Sequence, residues 1–400
     1  MMASIILWLM VWAGMYSDIS ALQGDRLLGG PMGLALALRP LMPILAAVGC
    51  LVILVRSGRI VLSFTQGPVL AISAYGLIGT FFFFLSPEPF VSLYWGGLFL
   101  STVFVVWTVA NQDEPEHQAQ ALMAVNVIVV SVIVLFYFTG PLWPILMGAP
   151  NPRLYHLPFG LGVQNANGVG RFAGILALVA LSRVRRRELY LKIPWLLLLA
   201  LSLVSLALTE SRTAILGFVV GSLLIVLVNR KFSWLVLGIP VIFYYLYNAW
   251  FVWRFKGSFE TAFILTGREA TWRRVLAISL RSPLAGHGFH ADRLMVEGEH
   301  VHMAYLHSLI QSGVLGAILF AAAMFGLWWI LVRNGILQRL ASIEGEANFL
   351  MTESVAIVGF MTVRSFFEST AAFYGVDLLL LVPAVCFIYQ WAFENPVPET

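Results

Sequence analysis

The chain has 400 residues, 60% of them hydrophobic and only 11% charged, with a mean hydropathy of +0.87. Soluble globular proteins carry about 25% charged residues, so a water-facing surface of this size is excluded and the solvent is lipid. The net charge of +4 does not point to nucleic acid: the basic residues fall in short clusters between apolar runs, where they set orientation in a membrane.

A helical span needs about 20 apolar residues. In chain order the apolar runs are residues 2–16, 36–55, 63–85, 91–110, 121–140 and 165–182, then 192–208, 213–229, 232–251, 304–332, 350–367 and 371–392. The expected fold is therefore all-α and polytopic, a single transmembrane domain over residues 1–400 with about twelve helices. The opening Met1-Met2-Ala3-Ser4 lacks the basic lead and small-residue cleavage site of a secretory signal, so the first run reads as a retained span. Cys50 and Cys386 each sit inside an apolar stretch and read as small core residues.

Basic residues assign the sides. Counting from a cytoplasmic N-terminus, the even breaks hold Arg56 and Arg59, then Arg183, Arg185, Arg186, Arg187 and Lys192, then Arg230 and Lys231, then Arg333 and Arg339. The short odd breaks hold few. Both termini are expected to be cytoplasmic. The one long odd break, residues 252–303 between spans nine and ten, is expected to be an outer loop. A structureless connection of that length in a compact domain is usually functional. Thr266-Gly267-Arg268-Glu269 has capping-box spacing and starts a helix near Gly267. Trp272, Val275, Leu276 and Leu280 then form an apolar stripe, expected in the outer lipid surface or against the spans. Pro283, Gly286 and Gly288 end it.

Two groups of residues have chemical potential. His287, His290, His300, His302 and His307 crowd one short segment. They read as tolerated polar loop residues, as metal ligands, or as a source of a general base. With no cysteine nearby and no His-Glu-x-x-His pattern, the sequence gives no metal site and no cofactor. The second group is arginine at the outer boundary: Arg212 after Glu210-Ser211, Arg171 inside the sixth span, and Arg364, which is expected to pair with Glu368. An ionisable residue within a span is costly and usually functional, and arginine grips phosphate oxygens through a planar fork. The ligand this predicts is a lipid diphosphate at the outer leaflet. No glycine-rich nucleotide loop is present.

Gln164-Asn165-Ala166-Asn167-Gly168, Glu210-Ser211-Arg212-Thr213-Ala214 and Thr266-Gly267-Arg268-Glu269-Ala270-Thr271-Trp272 occur in that order. Ser282 to Phe289, His302-Met303-Ala304-Tyr305-Leu306 and Gly313-Val314-Leu315-Gly316 follow. Together they resemble the O-antigen ligase and polymerase family of bacterial envelope glycosyltransferases, over about residues 160 to 330, with an echo from Arg364 to Glu368. The resemblance implies a metal-independent, inverting membrane glycosyltransferase of the GT-C type. Its donor would be an undecaprenyl-diphosphate-linked glycan. Its acceptor would be lipid A–core for a ligase, or the growing polysaccharide for a polymerase. It implies Arg212 and Arg268 at the donor diphosphate and His302 as the general base, with Arg171, His300, His307, Arg364 and Glu368 as supporting residues. The sequence departs at Met303, where the family usually has Asn, which makes His300 or His307 a conceivable substitute base. A reading from another class is a lipid-linked glycan flippase. Against it, the polar residues gather at one surface instead of forming the two-half repeat and midplane sites of transporters.

Overall fold

A computed structural model describes residues 2–15, 38–57, 67–112, 115–138, 154–157, 162–184, 189–209, 211–228, 268–340, 343 and 345–394. In chain order the helices are α1 (Met2–Ala13), α2 (Met42–Ser57), α3 (Gly67–Phe81), α4 (Pro89–Ala110), α5 (Pro115–Tyr137), α6 (Ala166–Arg183) and α7 (Leu189–Leu208). They continue as α8 (Arg212–Val228), α9 (Arg268–Ser279), α10 (Ala291–Met295), α11 (Ala304–Arg333), α12 (Ile336–Arg339), α13 (Gly345–Ser365) and α14 (Val376–Glu394). A helix thus overlies every expected apolar run except 232–251, which lies outside the described residues together with Thr266 and Gly267.

Among the described residues, five helical stretches are long and apolar enough to cross a membrane: Arg39–Arg56, Gly67–Leu85, Pro89–Ala110, His117–Tyr137 and Ala304–Arg333. Large apolar side chains such as Val55, Leu77, Ile128, Leu197, Ile318 and Trp329 are exposed on these and neighbouring helices, the arrangement expected when the surrounding medium is lipid tails. The chain is a membrane protein.

One addition to the all-helical expectation is a small antiparallel hairpin, β1 (Leu154–Leu157) with β2 (Gly162–Asn165), in the register Leu154 to Asn165 and Leu157 to Gly162. Its polar alternation is too short to register as a strand pair in sequence. Its second strand runs directly into α6, so the Asn-rich stretch is the strand-to-helix junction.

Close helix contact fixes the frame of the site. A Cβ at Gly174 of α6 or at Gly217 of α8 would come within 2.7 and 2.8 Å of the Phe360 ring of α13. The glycines therefore make a slot into which Phe360, fully buried, inserts, the small-residue packing by which membrane helices approach one another.

The segment from α9 to the first turns of α11 carries its own core. Val275 of α9, Ala291 and Val296 around α10, Val301 just before α11 and Ile310 within it form a buried cluster, with Trp272 and Met303 against it. Trp272 Nε1 donates to the Val301 carbonyl at 2.8 Å. The expected apolar stripe of α9 therefore divides: Val275 is buried in this cluster, while Leu276 and Leu280 face outward.

α11 breaks at Gly313, whose φ of 64° and ψ of −167° leave the helical region. Pro283 to Gly288 packs into the break. The His287 and Gly288 N–H groups donate to the Ile310 and Gln311 carbonyls at 2.9 and 2.8 Å, and Val314 N–H donates to the Pro283 carbonyl at 2.7 Å. Backbone groups freed by a broken helix need partners at membrane depth, and the loop supplies them. Only glycine fits here: a Cβ at Gly313 would lie 2.3 Å from Leu284 backbone, and one at Gly286 would lie 2.5 Å from Gln311 backbone.

Candidate active site

Six helix ends converge on one end of the bundle: the N-termini of α6, α8, α9, α11 and α14 and the C-terminus of α13. His302 lies just before α11 with a left-handed φ of 51°. Met303 follows as an extended N-cap residue that makes no side-chain cap hydrogen bond, so it contributes packing and leaves the histidine to be oriented by something else. That partner is Glu368. His302 Nδ1 lies 2.9 Å from Glu368 Oε2. With the carboxylate accepting, Nδ1 carries the proton and the Nε2 lone pair is the free one. The side chain of His302 is 36% exposed, so that lone pair is reachable.

Glu368 is held from its other side. Arg268 Nη2 lies 3.3 Å from Glu368 Oε1 and Arg268 Nη1 donates to the Phe367 carbonyl at 2.6 Å. Asn167 Nδ2, from the first turn of α6, lies 3.5 Å from the same Oε1. Burial works against the charge of Glu368, but the His302 hydrogen bond and the nearby Arg364 and Arg268 outweigh it. They hold its pKa down at about 2, so it is an anion at neutral pH. The hydroxyls of Tyr305 and Ser365, 3.2 Å apart, fasten the start of α11 to the end of α13, keeping His302 and Glu368 in register.

The expected pairing of Arg364 with Glu368 is not the one that forms. The chain turns at the end of α13, with the Phe367 and Glu368 N–H groups on the Arg364 carbonyl, and this swings the Glu368 carboxylate toward α9 and α11. Arg364 instead reaches Asp377 in the first turn of α14 (Nη2 to Oδ2 3.9 Å) and Thr213 of α8 (3.4 Å). Arg171 takes the other Asp377 oxygen at 3.1 Å and lies over the Phe172 ring. Arg212 is the first residue of α8, adjacent to the Thr213 that Arg364 touches.

The structure therefore joins His302, Arg268 and Glu368 directly, and ties Arg364 and Arg171 together through Asp377. His300 packs edge-on against His302, ring centroids 5.8 Å apart, but its carboxylate partner is Asp292 of α10, which His307 also faces; His307 is 2% exposed, too enclosed to meet a substrate. Sequence reasoning missed Asp377, Asn167 as a Glu368 partner, and Asp292. For Asp377 a signal was present, since an acidic residue in the first turn of an otherwise apolar helix is both favoured by the dipole and unusual at membrane depth.

What can this arrangement do? A histidine with a fixed tautomer, an exposed lone pair and a buried carboxylate behind it is suited to accept a proton. Beside it, Arg268 meets Glu368, and Arg171 and Arg364 meet on Asp377, so three guanidinium groups stand close to the histidine's end of the bundle. No curated protein matches the chain. Residues 197–321, which run from α7 into α11 and include Arg212, Arg268 and His302, match the family model described as O-antigen ligase.

Proposed function

We propose that this protein is a glycosyltransferase that moves a glycan from an undecaprenyl-diphosphate carrier to an acceptor hydroxyl at the periplasmic face of the inner membrane. In the leading form it is ligase-like, with lipid A–core as acceptor. A repeat-unit polymerase of the same family shares the donor and is the second reading. The observation that carries the proposal is the contact of one buried carboxylate, Glu368, with both His302 and Arg268. It sets a base beside a cation built for phosphate.

The reaction follows from these positions. His302 Nε2 takes the proton of the acceptor hydroxyl as its oxygen attacks the anomeric carbon. The bond from that carbon to the carrier diphosphate breaks, its electron pair leaves on the phosphate oxygen, and the configuration inverts. Arg268 and Arg212 face the charge that develops there; fixed donors at such a point are the largest electrostatic contribution an enzyme makes. Glu368 stabilises the imidazolium. The diphosphate is already a good leaving group, so positioning supplies much of the remainder. No step passes through a metal.

In topology, we read twelve spans with both termini cytoplasmic and the loop of residues 252–303 outside. The site end carries the α6 terminus near Asn167, while Arg183 marks the opposite terminus of the same helix, in keeping with cytoplasmic basic residues. Reconstitution with a lipid-diphosphate glycan and two acceptors, lipid A–core and a second donor molecule, tests the function. Glycan on lipid A–core is the expected product. Elongated carrier-linked chains instead would establish the polymerase, and no transfer to either would overturn both.

A further inference from the structure

Asp292, the second residue of α10, is a carboxylate with 1% side-chain exposure whose ion-pair partners among the described residues are two histidines and no arginine or lysine. His300 Nδ1 lies 3.2 Å from its Oδ2, and His307 Nε2 lies 3.4 Å from its Oδ1. One donor atom from each of the three residues falls within 4.8 Å of the others. Gln311 Nε2 lies 2.7 Å from His307 Nε2, and an amide N–H aimed there marks that nitrogen as bearing a lone pair. A lone pair and a carboxylate oxygen then face each other with no proton between them.

We propose that Asp292, His300 and His307 form a binding site for a divalent transition-metal ion of the zinc type. One carboxylate and two imidazoles are the donors such an ion selects over calcium or magnesium. The spacings of 3.2 and 3.4 Å match neighbouring ligands about 2.0–2.2 Å from a tetrahedral centre. The ion takes the His307 lone pair in place of the Gln311 N–H and balances a buried anion that has no arginine or lysine at ion-pair distance among the described residues. His300, 31% exposed, gives the way in, and a fourth position is left for water.

The placement explains a second feature. Three of the four non-glycine residues with positive φ in the described structure, His290, Glu297 and His302, lie in this segment, and such backbone persists only where its surroundings hold it. The ligands come from α10, the connecting segment and the first turns of α11, so the ion staples the strained segment to the span directly behind His302. The sequence rule against a metal looked for a motif on one helix; these donors come from three places.

This inference stands apart from the transfer reaction and is tested without a glycan donor. Full-length protein in nanodiscs, stripped with a chelator and desalted, is titrated with Zn²⁺ against a chromophoric competitor, and Co²⁺ is used to record a ligand-field spectrum. One equivalent is expected in the wild type and in His287→Ala, whose imidazole instead faces the Ile278 carbonyl. In Asp292→Asn and in His300→Ala affinity is expected to fall by about 100-fold or more, at or beyond the top of the range for losing a ligand's hydrogen-bond partner. His300→Ala, being partly exposed, serves if Asp292→Asn does not fold. No uptake by the wild type overturns the proposal, as does uptake unchanged in His300→Ala, which would place the ion on other histidines.

Discussion

The two ends of α6 carry the two principal charged clusters of the membrane domain, about 27 Å apart for an 18-residue helix, and they are built on opposite principles. At the Arg183 end the guanidinium is saturated. Its Nε lies 2.5 Å from Glu353 Oε1, its Nη1 2.8 Å from Glu346, Ser182 adds a hydrogen bond to Glu353, and Trp195 stacks on it. One arginine meets two carboxylates, and nothing is left to offer a ligand. At the other end Arg268 meets Glu368, Arg171 and Arg364 meet on Asp377, and a histidine is propped by the same Glu368 with its other nitrogen outward. The first cluster is a structural clamp between α6 and α13. The second sets a partly exposed imidazole beside its guanidinium groups. Arginine within a span is thus not itself a sign of catalysis; a reachable proton acceptor beside it is the feature that separates the two ends.

That contrast can be broken by mutation, and the largest effect is expected at the base. His302→Ala should lower glycan transfer by about 10²–10⁴-fold while leaving the protein inserted and its melting curve unchanged. In vitro turnover of the purified variant is the check, and full activity removes the base assignment. Next comes the clamp: Glu353→Ala leaves Arg183 without its main counter-charge and should destabilise by about 3–5 kcal/mol, read as a drop in thermal midpoint. The same substitution should leave donor affinity of the folded fraction unaltered. Smaller again is Glu368→Gln, which keeps the shape but loses the charge behind His302. A fall in kcat of about 10–100-fold with little change in KM is expected, by analogy with partners that orient ligating histidines. Gly313→Ala puts a side chain against Leu284 backbone at a positive φ and should cost about 1–3 kcal/mol, loosening the loop without touching any charged group.

Much of this was legible in the chain. The apolar runs gave the helices, because a span has to close its backbone hydrogen bonds within itself and so shows as a long run. His302 and Glu368 stood out as polar groups at the edges of such runs, while Arg268, inside the long loop, came only with the family resemblance. Their partners did not. Arg364 pairing with Asp377 rather than Glu368 depends on how the chain turns after α13 and on which helix end faces it, facts of packing between segments far apart in sequence. Asp292 gave no signal, since an acidic residue in a loop is ordinarily solvated and only the fold buries it. The division of the α9 stripe, Val275 inward and Leu280 outward, likewise reflects where α11 lies against it.

The central claim is that the end carrying His302 and Arg268, and not the clamp, holds the lipid diphosphate. Affinity for undecaprenyl diphosphate in nanodiscs, measured side by side for wild type, Arg268→Lys and Arg183→Lys, addresses it most directly. The account predicts at least about tenfold weaker binding for Arg268→Lys, because lysine lacks the planar fork that grips phosphate bidentately, and wild-type affinity for Arg183→Lys. Equal affinity in Arg268→Lys and wild type, or a loss in Arg183→Lys alone, would contradict it.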